Sequence, residues 1–239
     1  MKRSLRTLAA VLAAVTAMSC AALPAYAVTS PDIAVTDTDA DVVGGWEVLD
    51  GSLALSKNPD AKKAFKKAVK KLDSNISLSP IAVLATQVVA GTNYAVLCRT
   101  NLKNINAIPS IDVVYVYADL QGDATVIGYQ TIIGGEQLMG GYTPNKGKFS
   151  MSNNKTVNKC FKKAMKGLVG VSYQAVAYLG SQVVAGKNYL VLCRSKAVTP
   201  KAKYKYSLVT VYKDLQGKVS LGEINDLRLG DMNYVDENN

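Results

Sequence analysis

Thirteen residues of this chain, Gln87-Val88-Val89-Ala90-Gly91-Thr92-Asn93-Tyr94-Ala95-Val96-Leu97-Cys98-Arg99, return as Gln182 to Arg194 with eleven positions identical. At the same offset of 95, Asp119-Leu120-Gln121-Gly122 returns as Asp214-Leu215-Gln216-Gly217. Upstream, Gly44-Gly45-Trp46 returns as Gly140-Gly141-Tyr142. Whatever this chain folds into, it folds into it twice. The repeat predicts one domain over 44–136 and a second over 137–239. Residues 28–43, with Asp32, Asp37, Asp39 and Asp41, read as a flexible acidic lead-in. Before it stand Lys2, Arg3 and Arg6, an apolar run from Leu8 to Leu23, and Ala25-Tyr26-Ala27. A basic start, an apolar run and an A-x-A site predict a signal peptide over 1–27 and a secreted chain beginning at Val28. A cut before Cys20, with a lipid anchor there, is the alternative.

Within each copy the pattern switches from helix to strand. In copy one Asn58 is placed to cap, with Pro59 in the first turn. Ala61, Ala64, Phe65, Ala68, Val69 and Leu72 then recur at helical spacing, and copy two repeats the stripe with Val157, Cys160, Phe161, Ala164, Met165 and Leu168. Lys62, Lys63, Lys66, Lys67, Lys70 and Lys71 occupy the opposite face, a solvated one; without interleaved aromatics it does not predict nucleic-acid binding. Runs at 81–87 and 92–100 flank a short Gly-containing loop, and runs at 111–118 and 124–132 flank Asp119 to Asp123, which predicts two hairpins. Tyr94, Val96 and Cys98 share one strand face, the one expected to meet the helix. Each copy therefore reads as a two-layer α+β domain, one helix across a four-strand meander.

Several chemistries are excluded. The chain has no histidine, so no Ser-His or Cys-His nucleophile and no His-ligated metal site can be assembled within it. Loss of the leader leaves Cys98, Cys160 and Cys193, an odd number without metal-ligand spacing. They read as buried small hydrophobes, with a Cys160–Cys193 disulfide open in an oxidising compartment. No catalytic residue, metal or cofactor is expected, and no later run is apolar enough to imply stable membrane insertion.

The loops carry more information. Gln-Val-Val-Ala-Gly in a first hairpin, with Gly-Gly upstream and one helix against a sheet, resembles the cystatins, inhibitors of papain-like cysteine peptidases. Thr86 to Tyr94 is similar to the stefin branch almost letter for letter, and Val116-Tyr117, Leu120, Gly122 and Gly128-Tyr129-Gln130 resemble its second hairpin and closing strand. In copy two the Gly-Tyr-Gln match is missing. The resemblance implies two tandem cystatin-like domains, each a wedge that enters the substrate cleft of a peptidase. In copy one it assigns the contact to Gly44, Gly45, Trp46, Gln87, Val88, Val89, Ala90, Gly91 and Leu120. In copy two it assigns Gly140, Gly141, Tyr142, Gln182, Val183, Val184, Ala185, Gly186 and Leu215. Gln87 and Gly91 are expected to shape the loop, and Trp46 either to touch the partner or to pack the first strand. Three small apolar residues at an exposed tip favour burial in a partner.

Two departures stand out. Many cystatins carry Pro-Trp in the second hairpin, where this chain has Asp119-Leu120 and Asp214-Leu215; an acidic residue there favours the alternative function, a secreted or surface interaction module without peptidase inhibition. Ser74-Asn75 begins a motif by which some cystatins bind legumain-type peptidases, but Ile76 stands where those carry Asp.

Overall fold

A computed structural model of the chain describes residues 45–103, 107–134 and 141–235. The leader, the acidic lead-in, Gly44 and Gly140 lie outside the described residues. Copy one runs β1 (Glu47–Val48), a 3-10 turn (Leu55–Lys57), α1 (Pro59–Lys70), β2 (Ile76–Val89), β3 (Gly91–Leu102), β4 (Ser110–Ala118) and β5 (Ala124–Ile133). Copy two runs β6 (Thr143–Pro144), α2 (Lys155–Ala164), β7 (Val171–Val184), β8 (Gly186–Ala197), β9 (Lys205–Lys213), β10 (Val219–Leu227) and β11 (Asn233–Tyr234). No helix among the described residues is long and apolar enough to cross a membrane.

Every strand pairing is antiparallel. The first sheet has the order β1-β2-β3-β4-β5-β11 and the second β10-β9-β8-β7-β6. β2 and β7 each carry two register shifts, between Pro80/Ala82 and Val83/Ala85 and between Ala175/Ala177 and Tyr178/Gly180. Such bulges bend a strand and turn it around whatever it packs on. Asn58 does not cap α1 with its side chain. Its Nδ2 instead donates to the carbonyls of Ser52 (2.8 Å) and Ala54 (2.9 Å), and Asn154 does the same to Lys148 and Ser150. The asparagine thus pins the loop entering the helix.

Three cores hold these layers. Ala61, Ala64, Phe65 and Ala68 of α1 meet Val83, Val96, Cys98, Val114 and Val116 on the outer face of the first sheet. Val157, Cys160 and Phe161 of α2 meet Val191, Cys193, Val209 and Val211 on the outer face of the second. The third core lies between the sheets and joins Leu84, Ala95, Leu97, Val113 and Tyr115 of copy one to Ala177, Leu179, Leu190, Leu192 and Tyr206 of copy two.

That third core overturns the expected fold class of two tandem α+β cystatin-like domains, each a helix across its own sheet. The structure is mostly antiparallel sheet, eleven strands against two α-helices among the described residues. The two sheets stack face to face inside one compact unit, Trp46–Val235. The physical reason is that each sheet is apolar on both faces, and one helix covers only one of them.

Polar ties cross between the copies, and the repeat counterparts Arg99 and Arg194 both take part. Arg194 Nη1 donates to Leu49 O (2.5 Å), and Arg99 Nη1 donates to Lys146 O (2.9 Å). The Tyr206 hydroxyl donates to Leu84 O at 2.9 Å, and Gly230 N–H donates to the Tyr115 hydroxyl at 2.8 Å. The stacking is head to tail. Gly230, just past the base of β10, lies against Trp46 near the β2–β3 tip. Gly180, near the β7–β8 tip, lies against Ile133 at the base of β5. The hairpin tips of the two sheets therefore point toward opposite ends of the body.

One buried charge separates the copies. Asp112 is 3% exposed and accepts from Ser110 Oγ (2.6 Å) and Thr131 Oγ1 (2.7 Å); its counterpart Ser207 pairs with Ser195 Oγ (2.8 Å). Burial pushes the Asp112 carboxyl above its ordinary 3.8, against the hydrogen bonds that favour the charged form. The folded chain then binds this proton more tightly than the unfolded chain, so stability is lost as pH rises from about 3.8 through the raised folded value. Asp112→Asn is expected to melt above the wild type at neutral pH, with the gap closing below about pH 4. Thermal melts from pH 3 to 8 check this, and a gap independent of pH would contradict it.

Candidate functional site

The tips of β2–β3 and β4–β5 stand side by side at one end of the first sheet, because Thr92 pairs with Ala118 and Ala118 with Ala124. β1 arrives along the same edge. Val48 pairs with Ala85 and Glu47 with Thr86, two residues before the valines of the tip. In the second sheet Thr143 pairs with Ser181 and Lys187 with Lys213, which brings β6, the β7–β8 tip and the β9–β10 turn to one edge in the same way. The described residues assigned from sequence thus gather into two edges.

Each tip is held from behind. Val89 pairs with Gly91, leaving Ala90 alone in the turn. Gly91 has φ +126°, and a Cβ there would lie 2.3 Å from Ala118 O and 2.9 Å from the Tyr117 ring. Gly186 has φ +129°, with Lys213 O at 2.4 Å and the Tyr212 ring at 2.9 Å from its would-be Cβ. Glycine is required twice over, for its dihedral and for the close approach of the neighbouring hairpin. The Tyr117 hydroxyl donates to Ala90 O and the Tyr212 hydroxyl to Ala185 O. Asn93 Nδ2 donates to Gln87 Oε1 and Asn188 Nδ2 to Gln182 Oε1, both at 2.8 Å. Gln87 and Gln182 are therefore engaged within their own hairpins. Tyr117 stands in the second-hairpin likeness, but neither tyrosine is assigned to the contact from sequence. Their recurrence as Val116-Tyr117 and Val211-Tyr212 at the repeat offset was the available signal.

The side chains left facing solvent are apolar. Val88 is 72% exposed and Leu120 78%, with Val183 at 74% and Leu215 at 78% in the second sheet. Val89 and Val184 are also exposed. Beside Leu120, Asp119 turns inward: its Oδ1 accepts from Asp123 N–H at 2.7 Å while its carbonyl accepts from Gly122 N–H at 3.2 Å. Asp214 makes the same pair with Lys218 and Gly217. The acidic residue closes the turn and leaves leucine as the projecting group. Trp46 packs inward, its ring 5.2 Å from that of Tyr115. Tyr142, at the matching place, lies 3.3 Å from Thr210 Oγ1 through its hydroxyl.

Cys98, Cys160 and Cys193 are free and buried. Desolvation pushes the Cys98 thiol well above its usual range and the Cys193 thiol to about 12, so both stay protonated at neutral pH. An open cleft of about 630 Å³ lies elsewhere, lined by Leu53, Pro80, Phe149 and Arg194 among others. The Arg194 guanidinium there is committed to Gln174 Oε1 and to the carbonyls of Leu49 and Gly51. The described residues hold no group of three or more potential metal ligands. Comparison with known proteins found no matching family model and no matching curated protein.

Proposed function

We propose that the protein is a secreted, reversible inhibitor of papain-like cysteine peptidases, with one inhibitory head at the tip edge of each sheet. The observation that carries this reading is the pair of exposed apolar tips, Val88, Val89 and Leu120 in one sheet and Val183, Val184 and Leu215 in the other, each set on turns pinned from behind. Pinned turns lose little conformational freedom on binding. Each valine or leucine buried in a cleft contributes on the order of 1–2 kcal/mol. The likeness of both loops to the cystatin Gln-Val-Val-Ala-Gly stretch supports the choice of partner. The mechanism is occlusion. The wedge fills the substrate cleft with turn backbone and apolar side chains and places no scissile bond at the catalytic cysteine.

Titration of a papain-like peptidase with residues 28–239 tests the reading. Residual activity on a small peptide substrate is expected to fall linearly and to break near two peptidases per chain. Undiminished activity at large excess across several such peptidases would overturn it.

A further inference from the structure

The two tip edges share their apolar residues and differ in their charge. At the repeat offset of 95, Lys187, Lys213 and Lys218 stand where copy one has Thr92, Ala118 and Asp123. The ladder sets these lysines in a row at the second tip: Val183 pairs with Lys187, Lys187 with Lys213, and Lys213 with Val219, whose chain neighbour is Lys218. Two ammonium groups directly opposite on neighbouring strands repel one another, so this pairing works against folding. Among the described residues none of the three lysines is in an ion pair. Lys187 Nζ leans back over the Tyr189 ring, 5.8 Å from its centroid.

The first tip is arranged oppositely. Asp123 pairs with Lys71 of α1's end at 2.6 Å, and Lys67 Nζ donates to Gly122 O at 2.5 Å, so helix cations are drawn in to balance the acid. With Asp119 in the turn, Glu47 adds a third carboxylate beside the tip, where copy two has Thr143. One edge is therefore internally balanced, while the other sets three lysines against the single carboxylate of Asp214 around the same apolar core.

We propose that Lys187, Lys213 and Lys218 make the second head selective for peptidases whose cleft rim is acidic, while the first head lacks that preference. This rests on the inhibitory reading above. Surface charge of this kind acts mainly on the encounter rate and on which partner is accepted, and salt screens it.

The test uses full chains with one head disabled, Val88→Asp with Val89→Asp or Val183→Asp with Val184→Asp. Two papain-like peptidases serve as probes, one with an acidic and one with a basic cleft rim. With the acidic one, the second head's association rate is expected to fall at least about tenfold between about 50 and about 500 mM NaCl. Lys187→Thr, Lys213→Ala and Lys218→Asp together should flatten that dependence to within about twofold. The reciprocal Thr92→Lys, Ala118→Lys and Asp123→Lys should confer it on the first head; this second set keeps the test decisive if the first triple variant fails to fold. Equal salt dependence for both heads would overturn the selectivity and leave the inhibitory reading standing. Loss of neither peptidase's activity with either head would overturn the reading itself, and the selectivity with it.

Discussion

Val88→Asp with Val89→Asp is expected to halve the peptidase-binding capacity of the chain without lowering its stability. Val88 is largely in solvent and Val89 partly so, and neither belongs to a buried core, so the folded state gives up little buried contact when they change. In the complex the same positions lie in a cleft, and two carboxylates there carry a desolvation cost of several kcal/mol with no partner to offset it. The titration break should move from two peptidases per chain to one, with thermal melting unchanged. Adding Val183→Asp and Val184→Asp should abolish inhibition altogether. A quadruple variant that still inhibits stoichiometrically would show that the tips are not what the peptidase meets.

The second large effect is on stability. Leu97→Ala empties a fully buried position between the sheets, in a core drawn from both copies. Such a truncation costs about 2–5 kcal/mol, part lost transfer and part unfilled cavity. Because copy two supplies the opposing wall through Leu179, Leu190 and Leu192, the loss is not confined to copy one. Melting followed by Trp46 fluorescence, which reports on copy one, and by overall circular dichroism should show one coincident transition lowered by about 4–20 °C. Two transitions, with only one displaced, would mean that the copies unfold independently.

That shared core was the part of the fold hardest to read. The helical stripe and the hairpins were legible, because periods of 3.6 and 2 leave a plain mark when one face is wet. In β3 and β4 both faces are dry. Ala95-Val96-Leu97-Cys98 and Val113-Val114-Tyr115-Val116 are apolar at every position, and all eight residues are buried. Attention to the Tyr94, Val96 and Cys98 face left the other face unassigned, although a continuous apolar run is the mark of a strand buried on both sides. The motif and its repetition mark the two loops in the sequence. Less could be said of the polar residues around them. Asn58 is placed to cap by type and Asp119 stands beside the tip leucine, and only the folded geometry decides which backbone group each one finds.

The closing strand of the first sheet has a bearing on time. β11 is among the last residues of the chain, yet it pairs with β5, and Gly230 seats against Trp46 at the other end of the sequence. During synthesis, the inner face of copy one emerges with nothing to cover it. At ordinary elongation rates roughly ten seconds pass before its cover has left the ribosome. Over that interval Leu97, Val113 and Tyr115 belong to a half-built molecule that can neither finish folding nor hide its surface. A chain organised in this way is held back from premature folding by its own order of manufacture, and its nascent form is the state most exposed to chaperones and to aggregation.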